Sequence, residues 1–329
     1  MENRRLRVGV VGLGKMGLVH SSILSVLPNA EVTILCEKSG MLRRFFSKIF
    51  RRVPVVDDVS MFSDQNLDAV FVTTPINSHF PVAHAVYSDK LASNLFVEKT
   101  LASSFGDSQE LCARAREAGG INMVGYLRRF YVTFKKAKSL LDESTIGELS
   151  TFKAYAFSSD FVGNEKDGEF GGVLSDLGCY AMDLALWFFG DVNVKPESVA
   201  RISEGDVQNV VRFELNRADG FSGTCDVSWR MKNYRMPEVG FLVEGSKGKV
   251  QVDDDRVELK LNDGNSRRWF RHDLSDNVPF WLSAPEYYRE DEYFVRCALD
   301  GFRTEPSFES ACKVDKMIDD VKSRLKLRG

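Results

Sequence analysis

"LRVGVVGLGKMG", residues 6–17, is the stretch on which the reading of the whole chain turns. Leu6 to Val11 is largely apolar and β-branched, which reads as a short buried strand. Gly12, Gly14 and Gly17 follow at the spacing GxGxxG, with Lys15 and Met16 between the last two glycines. A strand, a tight turn and a helix start in that order let the backbone approach a pyrophosphate. Its charge meets the amides and the positive end of the helix dipole. Alone the motif is weak, so its surroundings have to support it.

They do. The next apolar run, "AEVTILC", reads as a second strand that ends at Glu37, 20 residues after Gly17, where a carboxylate meets an adenosine ribose. An acid at that place repels a 2'-phosphate and favours NAD. Lys38, Arg43 and Arg44 follow at once and keep NADP as the alternative cofactor. The stretch 38–52 also reads as a helix, with Met41, Leu42, Phe45, Phe46, Ile49 and Phe50 as its apolar stripe. Short strand-like runs then recur at 69–74, 94–97 and 121–125, separated by helical segments near 79–88 and 104–118. Alternation of this kind predicts a doubly wound parallel sheet, a Rossmann arrangement, over residues 1–125. Ligands of such sheets lie at the carboxyl ends of the strands, which singles out "TTPINSH" (73–79) and "EKT" (98–100).

The composition narrows the classes. At 329 residues the chain suits about two domains. A formal net charge of -3 argues against binding nucleic acid through phosphate neutralisation and points to a small molecule. No apolar run has the length of a membrane helix. The start runs straight into β-like sequence without a leader pattern, so the expectation is a cytoplasmic protein with no membrane partner. Six scattered cysteines and four histidines, His20, His79, His84 and His272, show no metal-ligand spacing, and no metal is expected.

Residues 126–329 form the second predicted domain. A helix near 132–142, a strand at 149–157, a loop at 158–172 and a helix near 175–189 precede six strand-like runs between 198 and 261. Turn residues separate these runs as in an antiparallel meander, and two helices, near 285–300 and 307–326, close the chain. The fold class is therefore α/β, a Rossmann sheet plus a second α/β domain with a large, mainly antiparallel open sheet.

Taken together and in order, "GLGKMG", "TPINSH", "EKT", "GYLRRF" and "GGVLSDLGCYAMD" resemble the glucose-fructose oxidoreductase, inositol dehydrogenase and rhizopine catabolism (Gfo/Idh/MocA) family, across almost the whole chain. The resemblance implies an NAD(P)-dependent oxidoreductase acting on a sugar, polyol, sugar nucleotide or related carbonyl compound. It also implies a homodimer or homotetramer. Lys99 matches the lysine beside the nicotinamide and the reacting hydroxyl, and Glu98 the glutamate before it. Thr74, Pro75, Asn77 and His79 match the segment lining the cofactor, although His79 also reads as a simple helix N-terminal residue.

Two departures stand out. Thr100 replaces the family's usual proline. Tyr180 stands four residues after Asp176, where most family dehydrogenases have an acid/base histidine and a second group has tyrosine. An unperturbed tyrosine titrates near pH 10. Lowering it by roughly 2 to 3 units takes on the order of 3 to 4 kcal/mol, for which the charge of Lys99 is the expected source. As a proton donor in the reductive direction tyrosine needs no such shift. Asp176 and Tyr180 share a face if both lie on a helix; the plainer alternative is that Asp176 caps the helix and Tyr180 packs inward.

Arg129 matches an arginine near the domain junction and is a substrate-binding candidate beside a structural reading. Asp160, Asn164 and Glu165 lie on the preceding loop, where a polyhydroxylated ligand would be held. Two rival functions remain: a non-catalytic NAD(P)-binding sensor, and an NAD-dependent glycosidase of the same family.

Overall fold

The computed structural model describes residues 4–159, 172–204, 207–234, 236–274, 278 and 285–327. The chain forms two compact units, Met1–Tyr126 with Phe280–Asp315, and Leu127–Pro279 with Lys316–Gly329.

The first unit is the predicted βα alternation. In chain order it comprises β1 (Leu6–Val11), α1 (Lys15–Val26), β2 (Ala30–Cys36), α2 (Gly40–Ile49), β3 (Val55–Val56), β4 (Ala69–Val72), α3 (His79–Ser88), β5 (Asn94–Glu98), α4 (Phe105–Ala118) and β6 (Asn122–Gly125). The strands pair in the order β3-β2-β1-β4-β5-β6, all in parallel. Central parallel strands are covered on both faces, which is why "AVFV" of β4 is apolar without alternation and wholly buried. The stripe expected on α2 is buried only in part: Phe46 is in the core, while Met41, Phe45 and Ile49 are 76%, 52% and 49% exposed.

The second unit begins after a short turn at Leu127–Phe130. It holds α5 (Val132–Asp142), β7 (Leu149–Phe157), α6 (Cys179–Phe189), β8 (Asn193–Glu204), β9 (Val207–Asn216), β10 (Ser222–Ser228), β11 (Glu238–Gly245), β12 (Gly248–Val252), β13 (Arg256–Leu261) and β14 (Ser266–Phe270). These strands form an eight-stranded sheet in the order β14-β13-β12-β11-β7-β10-β9-β8. Every pairing is antiparallel except β7 with β10. Helix α6 is apolar on all sides and is accordingly buried almost throughout. It lies against the sheet through rings such as Phe189, stacked 4.7 Å from Phe152.

The first unit is not contiguous, and here the expected cut between residues 125 and 126 differs from what the fold contains. Helix α7 (Pro285–Asp300) and the start of α8 (Phe308–Leu327) return to it. The reason is the sheet's need for cover. Phe294 of α7 sets its ring edge-on to Phe71 of β4 at 5.2 Å and Phe96 of β5 at 5.8 Å. Among the described residues no helix is long and apolar enough to cross a membrane.

Candidate active site

The glycine loop is built by contacts that leave no room for a side chain. Gly12 has φ +92°, in the left-handed region that favours glycine, and a Cβ there would meet the Thr74 nitrogen at 2.8 Å. A Cβ on Gly17 would lie 1.9 Å from the Gly12 carbonyl oxygen. Around Gly14, by contrast, a Cβ would meet nothing within 4 Å. Helix α1 begins at Lys15 with no side-chain cap and no acidic residue in its first turn, so its end is electrically open to an anion. The Thr74 hydroxyl is buried beside this loop with no hydrogen-bond partner among the described residues. These features fit a dinucleotide pyrophosphate.

At the end of β2 the Glu37 carboxylate accepts from the Leu13 and Ser39 amides, both at 2.7 Å. Each oxygen keeps a second lone pair for a ribose hydroxyl. Arg43, a candidate for a 2'-phosphate, is instead engaged locally. It donates to the carbonyls of Glu37 at 2.9 Å and Lys38 at 2.7 Å, and pairs with Asp57 at 3.4 Å. Lys38 and Arg44 are exposed.

Glycine substitutions separate the two roles of this loop. Gly14→Ala is expected to leave thermal stability unchanged and to weaken NADH binding about tenfold, about 1.4 kcal/mol. Gly17→Ala, whose Cβ collides with backbone, is expected to lower both. A fluorescence titration with NADH beside a melting curve checks this, and unchanged affinity in Gly14→Ala would show that the open space holds no phosphate.

The loop after β5 is pinned from several sides. Glu98 accepts from its own neighbour's amide, Lys99 N–H, at 3.0 Å. His79, at the start of α3, is buried with Nδ1 2.7 Å from the Thr100 carbonyl and Nε2 2.8 Å from the Thr74 carbonyl. Burial pushes its pKa below the ordinary histidine value, against the two carbonyls and Glu98, which favour the charged ring. The uncharged ring has one N–H and donates to one of the two carbonyls while its other nitrogen lies against the second, and so His79 ties the "TPINSH" segment to the "EKT" segment. Asp315 of α8 accepts from the Ala102 amide at 3.2 Å and the Ser108 hydroxyl at 2.6 Å. The Lys99–Thr100 peptide is cis. Pro75 and Asn77 are exposed at the strand ends, and Lys99 is half-buried.

In the second unit "LSDLG", Leu174–Gly178, is a π-turn that runs straight into α6. Asp176 therefore lies inside a continuous helical segment and is not its N-cap. π-Turns recur at functional sites because they rotate one residue out of the regular helix. The half-buried Asp176 carboxylate accepts from the Trp229 indole N–H at 3.2 Å. Tyr180 is 9% exposed, and the Arg128 guanidinium lies over its ring, 4.3 Å from the centroid. Arg128 is itself held by Asp254, at 3.2 and 3.0 Å, and by the Pro237 carbonyl at 2.9 Å. Burial works against its charge, but the charge and hydrogen bonds of Asp254 outweigh it and hold the guanidinium more firmly protonated.

Residues 6–126 match the profile described as the oxidoreductase family with an NAD-binding Rossmann fold, and residues 134–251 match the GFO/IDH/MocA C-terminal domain. The chain belongs to the Gfo/Idh/MocA family. It is similar to the myo-inositol 2-dehydrogenase of Thermotoga maritima, 25% identical over 255 residues that cover 77% of this chain and 72% of that one. The trans-1,2-dihydrobenzene-1,2-diol dehydrogenase of Mus musculus is 26% identical over 311 residues, 92% of this chain and 90% of that one. The solved structure of levoglucosan dehydrogenase in complex with NADH shares the fold, with a TM-score of 0.84 at 18% identity over 98% of each chain. This Gfo/Idh/MocA chain is thus an oxidoreductase whose cofactor is NAD, bound by its Rossmann unit.

Several of the expected site residues of the Gfo/Idh/MocA chain are engaged by other side chains. Arg129, a substrate candidate, puts its guanidinium on Asp183 of α6 through contacts of 2.7, 2.9 and 3.1 Å, with both side chains buried. Its charge is matched by Asp183 inside the second unit, which is the contact expected of the structural reading. Glu98, a cofactor candidate, directs Oε1 to His20 at 2.9 Å. Met16 accepts a weak hydrogen bond from the Tyr287 hydroxyl at 3.8 Å, while Gly14 and Lys15 are exposed. Asp160, Asn164 and Glu165 lie outside the described residues. Arg128 was missed by the sequence reading. Its signal was present in "GYLRRF", where of two adjacent arginines only one matched a family position.

Proposed function

We propose that this chain moves hydride between nicotinamide and a CH–OH or carbonyl carbon of a sugar, polyol, sugar nucleotide or related compound, with Tyr180 and Lys99 as the acid-base pair. In this reading the first unit takes the cofactor and the second selects the substrate. Asp176 orients the reacting hydroxyl. The observation that carries the reading is Arg128, stacked 4.3 Å from the Tyr180 ring centroid. A permanent cation against that ring stabilises negative charge on the phenol oxygen, the task first expected of Lys99 alone.

With its pyrophosphate held at the glycine loop, a bound dinucleotide would supply the hydride acceptor or donor. When an alcohol is oxidised, Tyr180 takes the hydroxyl proton as hydride leaves the carbon. When a carbonyl is reduced, Tyr180 gives its proton to the oxygen on which negative charge develops. The ammonium of Lys99 stabilises that charge in both directions. The two carboxylate contacts of Glu37 and the local engagement of Arg43 support NAD over NADP. The named relatives act on inositol and on a dihydrodiol, which supports a polyhydroxylated or vicinal diol substrate. Assembly as a homodimer or homotetramer belongs to the same proposal and is read by light scattering.

The experiment is nicotinamide absorbance with NAD or NADP and a panel of myo-inositol, D-glucose, D-xylose and trans-dihydrobenzenediol, and with NADH or NADPH and their keto forms. Turnover of one of these compounds, an alcohol with NAD or a keto form with NADH, is the expected result. Tight NADH binding with no turnover across the panel would favour a sensor, and cleavage of a glycoside without net NADH would favour a glycosidase.

A further inference from the structure

Behind the Lys99 loop lies a cluster of ionisable groups that the proposed chemistry does not use. His20 of α1 is fully buried, with Nδ1 2.7 Å from Asp291 Oδ1 and Nε2 2.9 Å from Glu98 Oε1. The second oxygen of Glu98 accepts from the Lys99 amide at 3.0 Å. A continuous line of hydrogen bonds thus runs from α7, through α1 and the end of β5, to the backbone of Lys99. Its surroundings are aromatic: the His20 ring lies 5.2 Å from Phe96 and 5.8 Å from both Phe71 and Tyr287.

Burial is the largest influence on His20 and pushes its pKa down, yet Asp291 and Glu98 outweigh it, so the ring is held as an imidazolium. Burial likewise pushes Glu98 up, but His20 and then Lys99 bring it below the usual carboxylate range. Asp291 is raised by burial in spite of His20. Glu290 is the other acid at the cluster: one ligand atom each of His20, Glu290 and Asp291 fall within 4.8 Å of one another. Since carboxylates already occupy both nitrogens of His20, the geometry is that of a hydrogen-bonded relay rather than of a metal cage.

Such a relay is a poor way to gain stability. Ions moved out of water incur a desolvation cost that apolar residues of similar volume avoid, and buried pairs often contribute nothing net. Asp291 Oδ2 adds to that cost, being buried with no hydrogen-bond partner among the described residues. What the arrangement does deliver is position: both oxygens of Glu98 are fixed, one by a charged ring and one by the amide of Lys99.

We propose that Asp291 and His20 are positioning residues, which through Glu98 fix the backbone at Lys99 and so the place of its ammonium group during hydride transfer. The inference rests on the reading of Lys99 as part of the acid-base pair.

The test uses the full-length protein with Asp291→Asn, the double variant His20→Leu/Asp291→Leu, and Lys99→Met. The double variant removes the charges of His20 and Asp291 together, and Glu98, which loses its Oε1 partner, keeps the Lys99 amide and can take up a proton in place of the imidazolium. Three quantities are read: NADH affinity by fluorescence, exchange of the Lys99 amide by mass spectrometry, and turnover of the compound that the wild type uses fastest in the panel above. In the Asp291 variants NADH affinity stays within about twofold and Lys99 exchange quickens about tenfold or more. kcat falls on the order of a hundredfold while KM changes little, as expected when a reacting group is displaced by about 1 Å.

Lys99 exchange at the wild-type rate in a folded Asp291 variant overturns the proposal without any substrate. An inactive Lys99→Met beside fully active Asp291 variants refutes the positioning role alone. A fully active Lys99→Met refutes the catalytic lysine and the positioning role together.

Discussion

Tyr180→Phe is expected to lower kcat by about 10²–10⁴-fold, the range for losing a positioned proton-transfer group. At 1.36 kcal/mol per tenfold this is about 2.7 to 5.4 kcal/mol of transition-state stabilisation. The substitution leaves the ring, and a phenylalanine keeps its place beneath Arg128, 4.3 Å from the centroid in the wild type. NADH affinity and melting temperature should therefore hardly move, which separates chemistry from folding. Arg128→Met is the informative companion. It removes the cation from the ring and also leaves Asp254, now paired at 3.0 Å, without its partner, so both rate and stability should fall. Wild-type kcat in Tyr180→Phe would remove tyrosine from the mechanism and leave it a packing residue.

The largest loss of stability is expected from Asp183→Ala. Asp183 is fully buried and takes the Arg129 guanidinium side-on, and removing it strands a cation inside the second unit. Breaking a buried pair in this way costs about 3–5 kcal/mol. At roughly 2–4 °C per kcal/mol for a domain of this size, the melting temperature should drop by roughly 6–20 °C. Arg129→Met/Asp183→Leu, which replaces both charges by apolar groups, should recover most of that. Kinetics of the double variant then decide between the two readings of Arg129. Unchanged KM for the panel substrate leaves it a clamp between the Leu127–Phe130 turn and α6, whereas a large rise returns it to the substrate site. A melting point within a degree or two in Asp183→Ala would show that the pair contributes little.

The parts of the fold that were legible are those with a strong local pattern. The segment 149–157 became β7 and 79–88 became α3 as expected, because alternation and helical spacing are properties of neighbouring residues. Strand β14, "SRRWF", escaped because it is an exposed edge: its arginines face water, Arg268 pairing with Glu258 at 2.8 Å, and no alternation marks it. The glycine loop lies between β1 and α1 as the strand-turn-helix pattern predicts, since GxGxxG is a constraint on backbone approach within a few residues. Asp291 was invisible for the opposite reason. It stands in "YYREDEYF", a charge-rich run that reads as a solvated helix face, and its partner His20 is 271 residues away. Which of two adjacent arginines stacks on Tyr180 depends on the twist of a 3-10 turn, for which the sequence has no local sign.

The return of α7 to the first unit also sets an order of assembly. Ribosomes release the nucleotide-binding half first, yet Asp291 emerges only after a further 165 residues (291 − 126), roughly 8–33 s at about 5–20 residues per second. Until then His20 and Glu98 have no Asp291, and the faces of Phe71 and Phe96 that meet Phe294 are bare. The stretch 127–279, by contrast, holds every strand of its own sheet and lacks only the closing segment Lys316–Gly329. A chain stopped at residue 126 should thus be a client of chaperones rather than a working cofactor domain, because the cover of its sheet is still to be made.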